Sequence, residues 1–178
     1  MNKINNILVT GGGGYIGSHI VEKLVKKNIN VFILDNLVTG FKKLINNNVV
    51  FIKGDIADIN KVTKIINKNK IDSIIHLAAH LNVSEAEKKK RKYNLNNIIG
   101  TLKLIKACKN STVKNIIFSS SCSIYGNING SVNESRKPNP QGHYVYSKYK
   151  GEQIIKQYAK KYNYRYAILR YCNVAGVS

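Results

Sequence analysis

The chain has 178 residues, enough for one domain with a substantial core and hardly enough for two. Within its 43% of hydrophobic residues no apolar run is long enough to span a bilayer, and the start MNKINNILVT lacks the layout of a signal peptide. The net charge of +20 is spread over every presumed helix surface, in step with an excess of Lys, Asn and Ile, which argues against a dedicated nucleic-acid face.

In chain order, a short strand (Ile7–Val9) enters the turn Thr10-Gly11-Gly12-Gly13-Gly14. A helix over Tyr15–Lys27 follows, with Ile16, Ile20, Val21, Leu24 and Val25 at helical spacing. Strand, glycine turn and helix make a phosphate cradle. Glycine permits the tight turn and the close approach of a diphosphate, while the helix N-terminus offers free N–H groups and the positive end of its dipole. Two templates fit, Gly12-x-Gly14-x-x-Gly17 and Gly11-x-x-Gly14-x-x-Gly17. No Gly-Lys-Ser/Thr follows, which excludes a Walker-type loop. Standing alone, the loop is also compatible with a glycine turn that holds no ligand.

The second strand, Val31–Asp35, ends in an acid 18 residues past Gly17. A carboxylate there accepts hydrogen bonds from both adenosine ribose hydroxyls and repels a 2′-phosphate, so NAD is expected and NADP is not. Then come a third strand (Val49–Lys53), Gly54-Asp55, a helix (Asn60–Lys68) and a fourth strand (Ser73–His76) leading into Leu77-Ala78-Ala79. The run Lys88-Lys89-Lys90-Arg91-Lys92 has no interleaved aromatics and reads as a solvated helix face or start. A long helix is predicted over Tyr93–Cys108, with Leu95, Ile98, Ile99, Leu102 and Ile105 on one face. A fifth strand (Asn115–Phe118), a polar loop holding Pro138 and Pro140, a helix from Tyr144 to Lys161 and a sixth strand (Tyr166–Leu169) complete the chain.

Short apolar runs alternating with helices predict a parallel sheet with helices on both faces, a doubly wound α/β fold of Rossmann type with strand order 3-2-1-4-5-6. Ligands of such sheets bind above the carboxyl ends of the strands. Every polar signature falls at one: Gly11–Gly17, Asp35, Asp55, Ala78-Ala79 and Ser119–Ser123. The cysteines Cys108, Cys122 and Cys172 are odd in number and far apart. They suit a reducing, cytoplasmic setting and form no metal cluster.

Chemistry is suggested by serines after the fifth strand and by Tyr144-Val145-Tyr146-Ser147-Lys148 on the next helix. A tyrosine and a lysine four apart share one helix face, and a nearby ammonium favours the phenolate. Such a tyrosine can take a proton from a sugar hydroxyl as hydride leaves the same carbon. Tyr146 and Lys150 repeat the spacing, so spacing leaves two pairs open, and either could be two surface residues.

Together these stretches resemble the cofactor half of the extended short-chain dehydrogenase/reductases. The similarity runs from Ile7 to Gly176 through TGGGGYIGSH, Asp35-Asn36-Leu37, Gly54-Asp55-Ile56, His76-Leu77-Ala78-Ala79, Asn96-Asn97, Gly100-Thr101, the serines through Tyr125-Gly126, and Leu169-Arg170-Tyr171-Cys172-Asn173. The resemblance selects Tyr144 and Lys148, since the family carries Ser-Lys after the tyrosine and Glu at the position of Glu152.

It implies that Ser121 is the catalytic serine with Tyr144 and Lys148, and that Gly11, Gly14, Tyr15, Ile16 and Gly17 hold the diphosphate. Asp35 and Asn36 would take the adenosine ribose, and Asp55 and Ile56 the adenine. Leu77, Ala78, Ala79 and Asn96 would line the cofactor, Tyr171 would lie near the nicotinamide, and Asn173 would meet the phosphates of a UDP-hexose. The implied reaction is 4-epimerisation of a UDP-sugar through a 4-keto sugar, with NAD⁺ retained. The implied partners are a UDP-hexose and a second copy of the chain in a homodimer, with no nucleic acid and no membrane. Dehydratases of the family carry Asp-Glu after the residue matching Ser121, and the UDP-glucuronate decarboxylases carry Glu at Ser123. Here Cys122-Ser123 stands instead. A lysine that many epimerases carry is replaced by Leu81. The family continues into a smaller substrate domain beyond these 178 residues, so the whole stretch 1–178 is expected to be the NAD-binding domain. The rival expectations are a non-catalytic NAD-binding module or another NAD-dependent nucleotide-sugar epimerase or dehydratase.

Overall fold

The computed structural model describes residues 5–176; the first four residues, read above for a leader, and the last two lie outside it. Six strands form one sheet: β1 (Asn6–Thr10), β2 (Asn30–Asp35), β3 (Val50–Lys53), β4 (Ser73–His76), β5 (Asn115–Ser121) and β6 (Arg165–Tyr171). Their order is β3-β2-β1-β4-β5-β6 and every pairing is parallel, as the alternating pattern predicts. The winding reverses between β1 and β4, and a crevice opens above the carboxyl ends of those two strands.

Successive strand residues face opposite sides, so one run of Val, Ile and Leu supplies two cores. On one side Ile7, Val9, Val31, Ile33 and Ile75 pack with Val21 of α1 (Tyr15–Lys26). On the other, Leu8, Leu34, Ile74 and Ile116 meet α2 (Ile59–Lys68), and further along the chain α5 (Thr101–Ala107) and α6 (His143–Tyr162), through Val62, Ile66, Leu104, Ile105 and Ile155. Each such residue, fully buried, contributes about 1.5–3 kcal/mol to burying this core. Among the described residues no helix is long and apolar enough to cross a membrane.

Three predicted elements differ in the structure. β5 runs on through Ser119, Ser120 and Ser121, so the serines are strand residues and not a loop. Pairing with β6 extends to Ser121↔Tyr171, which satisfies their backbone. Two short helices precede the long one, α3 (Val83–Lys88) and α4 (Lys90–Tyr93), and the basic run lies across their junction. There Lys89 and Lys92 reach Glu85 at 3.1 and 3.0 Å. The predicted long helix is interrupted by a π-helical segment, Asn94–Gly100. The wider turn rotates the buried stripe onto Tyr93, Asn97, Gly100, Thr101 and Leu104, leaving Leu95 and Ile99 exposed.

A directed chain of hydrogen bonds joins the sheet to that segment. The Thr101 hydroxyl donates to the Asn97 carbonyl at 2.7 Å, so it accepts at 2.9 Å from Nε2 of His76. Nε2 therefore carries the ring proton, and Nδ1 accepts the Thr10 hydroxyl at 2.7 Å. Burial, helped by the charge of Lys148, pushes the His76 pKa down to about 3. An unfolded chain binds that proton near pH 6.5. Stability is thus complete above about pH 6.5 and falls as pH drops toward 3, by on the order of 4–5 kcal/mol for this one group. Urea titrations at stepped pH are expected to show His76→Gln with a shallower acid loss than the unsubstituted chain. An unchanged slope would mean that the ring titrates normally.

Candidate active site

The turn after β1 is shaped by contacts that only hydrogen atoms can fill. Gly11 has φ +76, and a Cβ there would lie 2.7 Å from the Ala78 nitrogen. A Cβ on Gly17 would lie 2.2 Å from the Gly11 carbonyl oxygen, because the first turn of α1 packs directly on the loop. Gly12 instead backs onto Ile33. Of the two templates, Gly11-x-x-Gly14-x-x-Gly17 is the one that faces the crevice. Gly14 caps α1 without a side-chain acceptor, so the first N–H groups of the helix open toward the same space.

Asp35 is only 7% exposed and does more than wait for a ribose. Its Oδ2 accepts the Gly13 N–H at 2.9 Å and its Oδ1 the Leu37 N–H at 2.8 Å, tying the glycine turn to the end of β2. Each carboxylate oxygen keeps a second lone pair for a ligand hydroxyl. Asn36 Nδ2 donates to Asp55 at 3.1 Å, which links the ends of β2 and β3.

A cavity of about 530 Å³ lies above the strand ends. The glycine turn and Asp35 form one end of it, and Ser121, Tyr144 and Lys148 are among its other walls. Every residue selected from the sequence for cofactor, substrate or chemistry lines it except Asp55. Asp55 borders an adjoining recess of about 590 Å³ together with Asn36, His80, Arg91, Lys92 and Leu95. The residues fit a dinucleotide: the backbone cradle at Gly11 and Gly17 would be filled by any Cβ, and a buried acid at the end of β2 faces the same cavity.

At the other end, Tyr144 is partly buried and Lys148 is 3% exposed, its Nζ 5.2 Å from the Phe118 ring centroid. The competing pair lies outside: Tyr146 is 41% exposed, with Lys150 stacked on its ring. The expected lowering of the tyrosine is absent. Burial raises the Tyr144 phenol above its usual value, against the pull of the Ser121 hydroxyl beside it. Burial also pushes Lys148 down to about 8, with the Glu152 charge opposing. Both groups lose water, and desolvation is the largest cause of each shift.

Two residues that the sequence reading used only as motif positions, Asn97 and Glu152, support the site. Asn97 spends its whole amide on the site. Its Oδ1 accepts His80 N–H at 2.9 Å and Asn96 Nδ2 at 2.8 Å, and its Nδ2 donates to the His80 carbonyl and to Ser147 Oγ, both at 3.0 Å. The chain segment after β4 is thereby clamped to α6 between Tyr144 and Lys148. The second support is Glu152, fully buried, which accepts Ser120 Oγ at 2.6 Å and Arg170 Nε and Nη2 at 3.0 and 2.8 Å. A buried polar residue inside an apolar helix pattern was the available signal for both.

A family model described as the NAD dependent epimerase/dehydratase family matches residues 7–178. The chain belongs to this family. A UDP-glucose 4-epimerase of Lactobacillus helveticus is 41% identical over 173 residues, covering 97% of this chain and 52% of that protein. The crystal structure of UDP-glucose 4-epimerase from Brucella ovis in complex with NAD superposes with a TM-score of 0.94 at 36% identity, covering 98% of this chain and 54% of that one. The UDP-glucose 4-epimerase of Thermotoga maritima, solved with UDP-glucose, gives 0.92 at 36% identity, covering 96% and 56%. The chain thus spans about half the length of the curated relatives it matches. Within an epimerase/dehydratase of this kind, the glycine turn and Asp35 occupy the half-sheet that opens on the β1–β4 crevice, and the Tyr144–Lys148 helix packs beside it.

Proposed function

We propose that this chain is the cofactor-binding part of an NAD-dependent UDP-sugar 4-epimerase, oxidising the sugar at C4 and returning the hydride to its other face. The observation that carries the reading is the single cavity that joins the glycine turn and Asp35 to Ser121, Tyr144 and Lys148. When bound, NAD⁺ supplies a hydride acceptor and a positively charged ring. Beside such a charge the Tyr144 phenolate becomes affordable, and it takes the proton of the 4-hydroxyl.

Ser121 Oγ accepts the Ser123 N–H at 3.2 Å and lies beside the Tyr144 phenol, so its hydroxyl would turn to hold the same sugar oxygen. Lys148, buried near Glu152, orients the nicotinamide ribose. Asn173, exposed on the cavity wall, meets the sugar-nucleotide phosphates. Once the 4-keto sugar has turned within the pocket, Tyr144 would give the proton back to its C4 oxygen. Elimination needs an additional acid and base, and Cys122-Ser123 supplies neither, which favours epimerisation over dehydration.

Incubation of the chain with NAD⁺ and UDP-glucose is expected to yield UDP-galactose, resolved by chromatography. Tyr144→Phe is expected to slow this by about 10²–10⁴-fold with NAD⁺ affinity retained. NAD⁺ binding without any sugar conversion would overturn the proposed activity of these 178 residues.

A further inference from the structure

A cysteine follows the last paired residue of each of the two strands β5 and β6. The last registered pair of these strands is Ser121 and Tyr171, so Cys122 and Cys172 are the next residues on each. Ser121 is still extended, at φ −140 and ψ 140, so Cys122 leaves β5 alongside Cys172 before the chain turns into a short 3-10 helix, Cys122–Tyr125. Parallel neighbours stand about 4.8 Å apart, inside the Cα separation of roughly 4.4–6.8 Å that a disulfide bridges. The side chains feel each other, since the Cys122 thiol is raised by burial and by Cys172 beside it. Cys172 is exposed and lines the catalytic cavity, and Cys122 acts on the Tyr144 phenol. Cys108 is buried in the core, bonded to the Leu104 carbonyl, and takes no part.

We propose that Cys122 and Cys172 form a reversible dithiol–disulfide site at the edge of the cavity, with Cys172 on its wall, oxidised by a low-molecular-weight disulfide of the glutathione type. The Cys172 thiolate attacks one sulfur of the small disulfide and expels the first small thiolate. The Cys122 thiolate then attacks the Cys172 sulfur, closes the Cys122–Cys172 bond and expels the second. Two protein thiols are oxidised, one small disulfide is reduced to two thiols, and the two protein protons end on them. The bond ties the wall segment Cys172–Val174 to the end of β5 next to Ser121. The site stands on the strand register and not on the function proposed above.

The test uses the 178-residue chain, incubated with oxidised glutathione, alkylated, digested without reduction and mapped by mass spectrometry. The expected product has a Cys122–Cys172 peptide, free Cys108 and no retained glutathione. Cys122→Ser should instead accumulate a glutathione adduct on Cys172. A stable adduct on Cys172 in the unsubstituted chain, a chain dimer through Cys172, or no reaction would overturn the proposal; this mapping does not depend on the variant folding. Excess NAD⁺ is expected to slow the first step by shielding Cys172. Closure of the bond at an unchanged rate would count against the cofactor reading and leave the dithiol site standing.

Discussion

Gly17→Ala is expected to eliminate detectable NAD⁺ binding, measured by titration calorimetry, in a chain that still shows the far-ultraviolet signature of an α/β fold. The new methyl would sit 2.2 Å from the Gly11 carbonyl oxygen and 2.8 Å from the Gly12 Cα. Both are backbone atoms, so no side chain can swing aside. The N-terminus of α1 must move off β1, and overpacking of this kind costs about 1–3 kcal/mol. The same movement withdraws the helix N–H groups from the place where a diphosphate would lie. Ser18→Ala, one residue on, removes only an exposed hydroxyl bonded to the Tyr15 carbonyl and should bind as the unsubstituted chain does. Equal affinity in Gly17→Ala would show that the turn does not hold the cofactor.

Arg170→Met is expected to be the most destabilising single change in the site's supports. It removes both nitrogens that hold Glu152 and leaves a fully buried carboxylate with Ser120 as its remaining hydrogen-bond donor. Breaking one partner of a buried pair costs about 3–5 kcal/mol, or a fall of roughly 6–20 °C in Tm for a domain of this size. Adding Glu152→Gln should recover much of the loss, because the cost lies in the isolated charge and not in the absent bonds. Glu152→Gln alone should lower the proton affinity of Lys148 further, since the Glu152 charge is what offsets burial there. A Tm within about 1 °C of the unsubstituted chain for Arg170→Met would contradict this account of the pair.

The strand order and the position of the crevice were legible because alternating apolar runs and the glycine spacing are local features. Asp35 was legible as an acid at the carboxyl end of a strand, yet its bonds to Gly13 and Leu37 were not, since they depend on how the turn folds back over β2. The face predicted for the long helix holds at Ile105 and fails at Leu95 and Ile99, because a periodicity of 3.6 cannot anticipate a π-helical turn that buries Asn97 and exposes those two. Spacing alone left two Tyr–Lys pairs; burial separates them, placing Lys148 inside and Tyr146 outside. The raised Tyr144 shows the remaining gap. A charge partner can be read from a sequence, whereas the loss of water around both groups cannot.

The most direct test of the cofactor site is the thermal midpoint of the chain with excess NAD⁺ and, separately, with NADP⁺. At a hundredfold excess over Kd the stabilisation should be ~2.7 kcal/mol, a rise of roughly 5–11 °C. The account predicts that rise with NAD⁺ and almost none with NADP⁺, because the proposed ribose site at Asp35 would set its carboxylate against the 2′-phosphate. No rise with either dinucleotide, or equal rises with both, would contradict it.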